Sequence, residues 1–353
     1  MQKVQLYTGL SALATATFPV LYFFTFLYYT DIGSTFFILY SYLLSLQRQH
    51  CISAAVGTVA VIFRQTNIVW VMFFCLCVIF DMLVRTVMPD KQAFLISNDH
   101  TVIARLIYSW LRYAIHKDSK LLFNLISQIL LNIWPYCVVF LAFGIFLWIN
   151  GGIVVGARHD HEVTLHFPQL FYYAVFTVWF AAVNVVSWQN VVAFVKFVKR
   201  YLLLNICLFL LCLCVIWRYT YVHRYVLADN RHYTFYIWSR LFAKHPLMRY
   251  AFAPVYLFSG YIVLQTLALR RHFLWCITYV LSVTLLLVPT TLLEFRYYIV
   301  PYIIFRLNIP VASLRQLVAE ISMYVGINLL TIYVFLHRPF QWNSEASLQR
   351  FMW

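Results

Sequence analysis

The chain has 353 residues, of which 63% are apolar, 20% are aromatic and only 10% are charged. A soluble domain is about half apolar and a quarter charged, so this composition excludes a water-soluble globule, and the aromatic content excludes a disordered chain. Lys and Arg number 26 against 11 Asp and Glu, but so apolar a chain offers no long solvated basic face for a nucleic-acid duplex. The composition indicates an integral membrane protein, with basic residues in cytosolic loops, at sites for phosphate groups, or in both.

Long apolar runs, taken in chain order, predict an all-α membrane protein. A helix needs about 20 mostly apolar residues to span a bilayer. Clear runs of this kind occupy 4–27, 68–84, 122–149, 170–188, 201–217, 249–268, 273–289 and 317–337, and shorter candidates lie at 34–46, 51–63 and 297–309. The sequence therefore predicts nine to eleven transmembrane helices in a single polytopic domain, 1–353.

Basic residues between these runs predict which loops face the cytosol. The stretch 85–120 is the longest polar segment, and 189–200 and 270–272 are short and basic. Because cytosolic loops are enriched in Lys and Arg, we predict that 85–120 is a basic cytosolic loop and that the other two lie on the same side. The polar segments rich in Arg, His, Asp, Asn and aromatic residues then gather on the opposite side, where we expect the functional site.

The segment RQTN interrupts an apolar background with Arg64, Gln65, Thr66 and Asn67. An arginine at the edge of a span costs a few kcal/mol unless it reaches the headgroups, pairs with an acid or lines a cavity. Two interpretations are open. Arg64 extends to lipid headgroups, or it binds an anionic lipid or substrate group while Gln65 and Asn67 hydrogen bond to hydroxyls.

The segment HDHEVTLHFPQL, 159–170, opens with two histidines and a glutamate that suggest zinc. It lacks the i, i+4 histidine pair of a HExxH site, and the two CLC pairs elsewhere lack CxxC spacing. We therefore predict no metal. A loop that touches a sugar or a headgroup, with His166 and Gln169 at the membrane edge, is the favoured interpretation.

The segment VLADNRHYTFYIW, 226–238, is the densest polar and aromatic run. Asp229, Asn230, Arg231 and His232 supply a carboxylate, an amide, a fixed cation and a titratable ring in succession. The aromatic residues that follow suit sugar rings and interfacial lipid alike. The alternative is an interfacial aromatic belt in which Asp229 and Arg231 are merely paired with each other.

The segment LLEFRYYIVPY, 292–302, places Glu294 two residues before Arg296. Such a pair in a membrane segment is unfavourable unless both groups are engaged. Either the two form an internal ion pair, or Arg296 binds phosphate oxygens with both arms of its guanidinium. The residues alone fit an enzyme that acts on a phosphorylated lipid, and they fit a transporter of an anionic solute almost as well.

Five motifs in the same order carry a family resemblance over essentially the whole chain: FRQTNIVW, LHFPQLFYY, LADNRHYTFYIW, LLEFRYYIVPYIIFRLNIP and QRFMW. At these motifs the chain closely resembles the eukaryotic endoplasmic-reticulum alpha-1,2-glucosyltransferases that use dolichyl-phosphate-glucose. The resemblance implies a C-type glycosyltransferase fold with several membrane spans and a site facing the lumen.

The resemblance also implies a reaction. It is the inverting transfer of the third, terminal glucose from dolichyl-phosphate-glucose to diglucosylated oligosaccharide-diphosphodolichol, for protein N-glycosylation. The donor, the acceptor and membrane lipid would be the partners, with no nucleic acid, no cofactor and no metal. A carboxylate would take the proton of the acceptor hydroxyl, and cationic side chains would stabilise the departing dolichyl phosphate.

On this resemblance we assign expected roles to the residues singled out above and to Asp31, which lies in the polar segment YYTDIGS, 28–34, on the predicted luminal side. Arg231, His232, Arg296 and Arg64 are expected to contact the donor phosphate; Gln65, Asn67, Asn230, His166 and Gln169 to bind sugar; Glu294 to orient Arg296; and Asp229 or Asp31 to act as the base.

The chain departs from the family pattern at its beginning. In the family, the first span is followed by a long luminal loop with an acidic motif, the usual home of the catalytic base. This loop is absent from the sequence, so we expect a chain that is truncated relative to the family, and an inactive one is an open alternative. A non-catalytic transporter or regulatory subunit is the competing functional hypothesis.

Overall fold

The computed structural model describes residues 2–88, 100–154, 164–223, 227–342 and 347–353, and within them the chain is almost entirely helical. The helices are α1 Gln2–Ala16, α2 Pro19–Phe24, α3 Asp31–Leu46, α4 His50–Phe63, α5 Ile68–Val87, α6 His100–His116, α7 Ser119–Asn150, α8 Pro168–Phe180, α9 Ala182–Val185, α10 Trp188–Arg200, α11 Leu202–Tyr219, α12 Tyr233–Ile237, α13 Met248–Ala251, α14 Ala253–Ala268, α15 Phe273–Leu287, α16 Ile299–Asn308 and α17 Leu314–His337. Two-residue strands, β1 Phe340–Gln341 and β2 Leu348–Gln349, pair antiparallel. The prediction of an all-α fold is confirmed.

The longest helices are suited to a bilayer. Helical segments long and apolar enough to cross a membrane are Gln65–Val87, Ser119–Asn150, Leu202–Tyr219, Met248–Ala268 and Leu314–His337, and α3, α4 and α15 are shorter apolar helices. These helices support a polytopic membrane protein, while the total of nine to eleven spans stays a prediction. The predicted span 4–27 is divided into α1 and α2 at Pro19, because proline lacks an N–H and is favoured at the start of a helix.

Much of the stretch 85–120, predicted as a loop, is helical where the structure describes it. Helix α6 buries Ile103 and Ile107 against the end of α5, while Arg105 on another face is exposed. Basic residues on the exposed face of an amphipathic helix give the same composition as a solvated loop. For the same reason the predicted loop 189–200 is largely helix α10.

The described chain divides into two compact units. The first unit comprises Met1–Ile32, His161–Thr266 and Leu287–Trp353. Its core is aromatic: the ring of Phe18 stacks on that of Tyr302 with 4.4 Å between centroids and meets Phe180 edge-on at 5.2 Å. Such ring pairs combine large apolar burial with specific geometry, so they fix how α8 and α16 pack around the α1–α2 junction.

A buried ion pair joins α16 to α17 inside the first unit. Arg306 Nε and Nη2 donate to the two carboxylate oxygens of Glu320 at 2.8 and 2.6 Å. Glu320 also accepts a 3.2 Å hydrogen bond from the hydroxyl of Tyr324, whose oxygen lies 2.5 Å from that of Tyr302. A buried charge pair is tolerated only with good geometry and further hydrogen bonds, and both are present here.

The second unit comprises Gly33–Asp160 and Leu267–Leu286. Ser41 and Ser53 exchange 2.8 Å hydrogen bonds with each other's backbone carbonyls, which ties α3 to α4, and the hydroxyl of Tyr136 on α7 donates to Ser53 Oγ at 2.9 Å. A Cβ at Gly33 would overlap the ring of Phe63. Glycine is therefore required for this close approach of α3 to α4.

Candidate active site

Two polar clusters in the first unit contain the residues predicted from VLADNRHYTFYIW and LLEFRYYIVPY. We call the first the Arg296 cluster, made of Asp31, Glu294 and Arg296. The second is the Arg231 cluster, made of Asp229, Asn230, Arg231 and His232. The structure thus brings Asp31 and Arg296 together from distant parts of the chain.

The Arg296 cluster is built on a short 3-10 helix, Phe295–Tyr298, and on the start of α3. Glu294 Oε2 accepts a 2.8 Å hydrogen bond from Arg296 Nε and a second one from Nη2. Asp31 is the first residue of α3, where a helix N-terminus favours a carboxylate, and its Oδ2 lies 3.7 Å from Arg296 Nη1. Asp31 is 1% exposed. The predicted orienting contact from Glu294 to Arg296 is present in the geometry.

Aromatic rings enclose the guanidinium of Arg296. Its central carbon lies 4.8 Å from the ring centroid of Tyr29 and 5.6 Å from that of Phe24, within the range of cation–π attraction. Burial alone would lower the pKa of Arg296, but the carboxylates of Glu294 and Asp31 outweigh it and hold the pKa above its ordinary value. Two carboxyl groups thus face one guanidinium. This geometry favours the internal ion pair over an arginine held open for phosphate.

His166 and Gln169 hold the chain that carries the Arg296 cluster. Gln169 Nε2 donates to the Leu292 carbonyl at 3.1 Å, and the Tyr298 hydroxyl donates to Gln169 Oε1 at 2.6 Å. The backbone N–H of His166 donates to the Val288 carbonyl at 2.9 Å. Both side chains are buried. The side chain of Gln169 is therefore held by internal hydrogen bonds, whereas His166 is held through its backbone, and sugar binding by either residue stays a prediction.

The Arg231 cluster is centred on a two-point ion pair. Arg231 Nε lies 2.9 Å from Asp229 Oδ1 and Nη2 lies 2.7 Å from Oδ2, while the Arg231 backbone N–H donates to Oδ1 at 3.1 Å. His232 Nε2 is 3.8 Å from Asp229 Oδ2. Partial burial acts to raise the pKa of Asp229, but the hydrogen bonds from Arg231 and the nearby positive charges leave it below its ordinary value. Asp229 is therefore a firmly ionised carboxylate.

The last residues of the chain pack along the Arg231 cluster. The Met352 N–H donates to the Arg231 carbonyl at 2.9 Å, and the Tyr233 N–H donates to the Met352 carbonyl at 3.1 Å. His232 Nδ1 lies 2.9 Å from the Trp353 carbonyl oxygen. Because a carbonyl only accepts, Nδ1 of His232 carries a proton and Nε2 faces Asp229. The QRFMW motif thus fixes the ring orientation of His232.

Two further side chains near the end of the chain contact this cluster. Trp342 Nε1 donates to Asn230 Oδ1 at 2.6 Å, and its ring centroid lies 5.1 Å from the guanidinium carbon of Arg231. Gln349 Oε1 accepts from Arg231 Nη1 at 3.4 Å. The predicted aromatic surroundings of Arg231 are therefore supplied in part by a segment far along the chain.

The indole of Trp353 lies between the two clusters. Its ring centroid is 5.1 Å from that of Tyr233, beside His232, and 5.8 Å from that of Phe295, beside Arg296. Among the residues that the structure describes, the buried indole N–H of Trp353 has no acceptor. A buried donor without a partner is unfavourable by about 1–3 kcal/mol, and a hydroxyl or phosphate oxygen would satisfy it.

The RQTN segment belongs to the second unit. Asn67 is buried, and its amide nitrogen donates to Ser34 Oγ and to the Ala60 carbonyl at 2.7 Å each, which closes the turn between α4 and α5. Gln65 lines a cavity of about 300 Å³ together with apolar residues of α7. Arg64 is partly exposed. Phosphate binding by Arg64 and sugar binding by Gln65 and Asn67 stay predictions.

The histidines and glutamate of 159–162 lie outside the described residues. Elsewhere, within the ranges that the structure describes, no three His, Cys, Asp or Glu side chains are grouped as metal ligands. All eight cysteines are free thiols.

Sequence reasoning missed two contacts between ionisable side chains and the role of the chain end. The pairs are Arg306 with Glu320, and His272 Nε2 with Asp81 Oδ1 at 3.1 Å. A signal was available, because ionisable residues inside apolar helices are rare and are usually paired or functional. No local pattern could have shown that QRFMW lies along Arg231.

Comparison with known proteins supports the resemblance drawn from the motifs. The model of the DIE2/ALG10 family matches residues 2–307. The Dol-P-Glc:Glc(2)Man(9)GlcNAc(2)-PP-Dol alpha-1,2-glucosyltransferase of Rattus norvegicus is 41% identical over 351 residues, which are 98% of this chain and 72% of that protein. The Homo sapiens protein of the same name is 39% identical over 349 residues, with the same shares of each chain.

A plant relative of the same name extends the comparison. The Arabidopsis thaliana protein is 35% identical over 381 residues, 97% of this chain and 75% of that protein. No solved structure matches this chain significantly. The match of the family model and the identity with relatives across nearly the whole sequence place the chain in the DIE2/ALG10 family.

Proposed function

We propose that this chain transfers glucose from dolichyl-phosphate-glucose to diglucosylated oligosaccharide-diphosphodolichol, making the terminal alpha-1,2 linkage in the endoplasmic-reticulum lumen during protein N-glycosylation. The observation that carries the proposal is the 41% identity, over 98% of the chain, to a relative named for this transfer. The two polar clusters of the first unit supply the chemical groups that the reaction requires.

The Arg231 cluster suits the departing dolichyl phosphate. The side chains of Arg231 and His232 are 36% and 19% exposed, so both can meet a ligand. Negative charge grows on the phosphate as the glycosidic bond breaks, and cations fixed in advance stabilise that charge. Asp229 and Trp342 hold the guanidinium of Arg231 in one orientation, which fits this demand.

The Arg296 cluster contains the residue that best fits the role of the catalytic base. In an inverting transfer the acceptor hydroxyl attacks the face of the sugar opposite to the leaving group, so the base and the phosphate ligands stand apart. Asp229 is hydrogen bonded to Arg231 and would lie on the phosphate side. Asp31 belongs to the other cluster and, among the described residues, has no contact with Arg231 or His232, so its separate position favours Asp31 as the proton acceptor over Asp229.

The position of Trp353 between the two clusters fits a contact with the glucose. A glucose held with its phosphate at Arg231 and its opposite face towards Asp31 would present hydroxyls to the indole N–H, a buried donor that lacks an acceptor among the described residues. The aromatic faces of Trp353, Phe295 and Tyr233 would pack against the sugar ring.

The test is a transfer assay with the chain as it stands. Microsomes from cells that lack endogenous activity would express it and receive dolichyl-phosphate-glucose with the diglucosylated acceptor, and the released glycans would be sized by chromatography. We expect a product one hexose larger, formed far more slowly by the Arg231→Gln variant. Arg240→Gln, an exposed arginine nearby, is the matched control and should keep activity. Absence of the product in microsomes that contain the folded chain would contradict the proposal.

A further inference from the structure

A second cationic site lies in the second unit. A pocket of about 320 Å³ is lined by the guanidinium-bearing residues Arg48, Arg85 and Arg271, and by His50 and Asp81. The buried part of its lining is apolar and aromatic, and Gln128 and Asn132 of α7 add amides. None of these residues belongs to the clusters assigned to glucose transfer.

The charges of this pocket are unbalanced. Three guanidinium groups face the single carboxylate of Asp81, and His272 Nε2 already contacts that carboxylate at 3.1 Å. In the part of the chain that the structure describes, none of the three arginines forms a salt bridge with an acid, whereas Arg231, Arg296 and Arg306 each do. Arginines gathered around a cavity without acidic partners are typical of sites for phosphate groups.

The backbone at Arg48 is the second observation. Its φ is 60°, the only positive φ of a non-glycine residue among those described. A left-handed conformation is unfavourable for a residue with a Cβ, and such residues cluster at functional sites. At Arg48 it allows the tight turn between α3 and α4, which places this arginine on the pocket next to His50.

The pocket lies at the start of α4, and the RQTN segment lies at the other end of the same helix. Helix α4 contains 14 residues, from His50 to Phe63 just before Arg64, and is about 21 Å long. Arg85 and Arg271 belong to the basic segments predicted to face the cytosol. By that prediction the pocket faces the cytosolic leaflet.

From these observations we infer that the pocket lined by Arg48, Arg85 and Arg271 binds a phosphate group on the cytosolic side of the membrane. The apolar floor beside a cationic rim fits a phospholipid headgroup, and free phosphate shares the same recognition chemistry. None of the lining residues belongs to the clusters assigned to glucose transfer, so the bound phosphate is not the leaving group of that reaction.

The experiment measures binding to the purified full-length chain in a phosphate-free nonionic detergent. The probes are short-chain phosphatidic acid and inorganic phosphate, with Kd from calorimetry. We expect saturable binding of phosphatidic acid, weakened at least about tenfold in the double variant Arg48→Gln, Arg271→Gln. Saturation by phosphatidic acid alone would assign a lipid headgroup, and equal competition by inorganic phosphate would assign a free phosphate.

The matched control removes the same charge from elsewhere in the unit. Arg105→Gln, Arg112→Gln changes two exposed arginines of α6 and should leave Kd unchanged. Arg85→Gln, an exposed side chain at the pocket mouth, provides a variant with little risk of unfolding and should also weaken binding. Unsaturable binding of both probes, wild-type affinity in the pocket variants, or equal weakening in the α6 control would overturn the inference.

Discussion

Arg296 Nη1 lies 3.7 Å from Asp31 Oδ2, which places a carboxylate from the start of α3 beside an arginine from the segment before α16. Glu294 holds the same guanidinium through two other nitrogens. The arginine therefore joins two acidic side chains that come from separate parts of the chain. If Asp31 is the base, its orientation depends on this shared arginine.

Replacement of Asp31 by Asn should lower kcat by about 10²–10⁴-fold with little change in KM, because asparagine keeps the size of the side chain and cannot accept the proton. Initial rates of glucose transfer at several acceptor concentrations separate the two constants. A parallel thermal melt in detergent reports whether the fold survives. A variant with wild-type kcat would remove Asp31 from the reaction.

Replacement of Arg231 by Gln should lower kcat/KM by about 10²–10³-fold, because the group that stabilises the growing phosphate charge is lost. Arg231→Lys should lie between Gln and the wild type, since lysine keeps the charge but loses the two-point pair with Asp229. The same transfer assay measures both. If both the Gln and the Lys variant were as active as the wild type, Arg231 would have no role in binding the donor phosphate.

Tyr298→Phe should destabilise the protein by about 1–3 kcal/mol, since it leaves Gln169 Oε1 buried without the 2.6 Å donor. Thermal or denaturant unfolding in detergent measures the loss. Tyr333→Phe removes the same hydroxyl from a residue 52% exposed and serves as the control, with little change expected. Similar losses in both variants would show that the buried hydrogen bond contributes nothing specific.

Either Arg306→Met or Glu320→Gln alone should destabilise the protein by about 3–5 kcal/mol, because each leaves one group buried without its partner. The double variant Arg306→Met, Glu320→Gln should recover much of this loss, since no charge remains buried. A double-mutant cycle on unfolding free energies checks this coupling. Additive losses would mean that the pair is not coupled.

Stability should fall in mild acid because of His166. Burial lowers its pKa to about 4, although its contact with the Thr290 backbone acts in the opposite direction. The unfolded chain binds a proton near pH 6.5 and the folded one only near pH 4, so stability is full above about 6.5 and falls by about 1.4 kcal/mol per pH unit between these values. Melting temperatures at pH 7.5 and 5 measure the slope, which His166→Gln should reduce. An unchanged slope in that variant would contradict this assignment.

Local patterns predicted part of this architecture and could not predict the rest. Glu294 and Arg296 are two residues apart, so their pairing was foreseeable, as was that of Asp229 with Arg231. The contact of Asp31 with Arg296 depends on how separate helices pack, and no periodicity encodes that. The hydrogen bond from Tyr298 to Gln169 was not foreseeable either, because a buried polar side chain finds its partner through tertiary packing.

The ion pair between Arg306 of α16 and Glu320 of α17 has a consequence for biosynthesis. Arg306 leaves the ribosome 14 residues before Glu320. Until the second helix inserts, the positive charge has no counter-ion and must stay in water, at the headgroups or against the translocation machinery. The two helices are therefore expected to enter the bilayer as one hairpin, and a mutation that delays the second of them would expose the first to quality control.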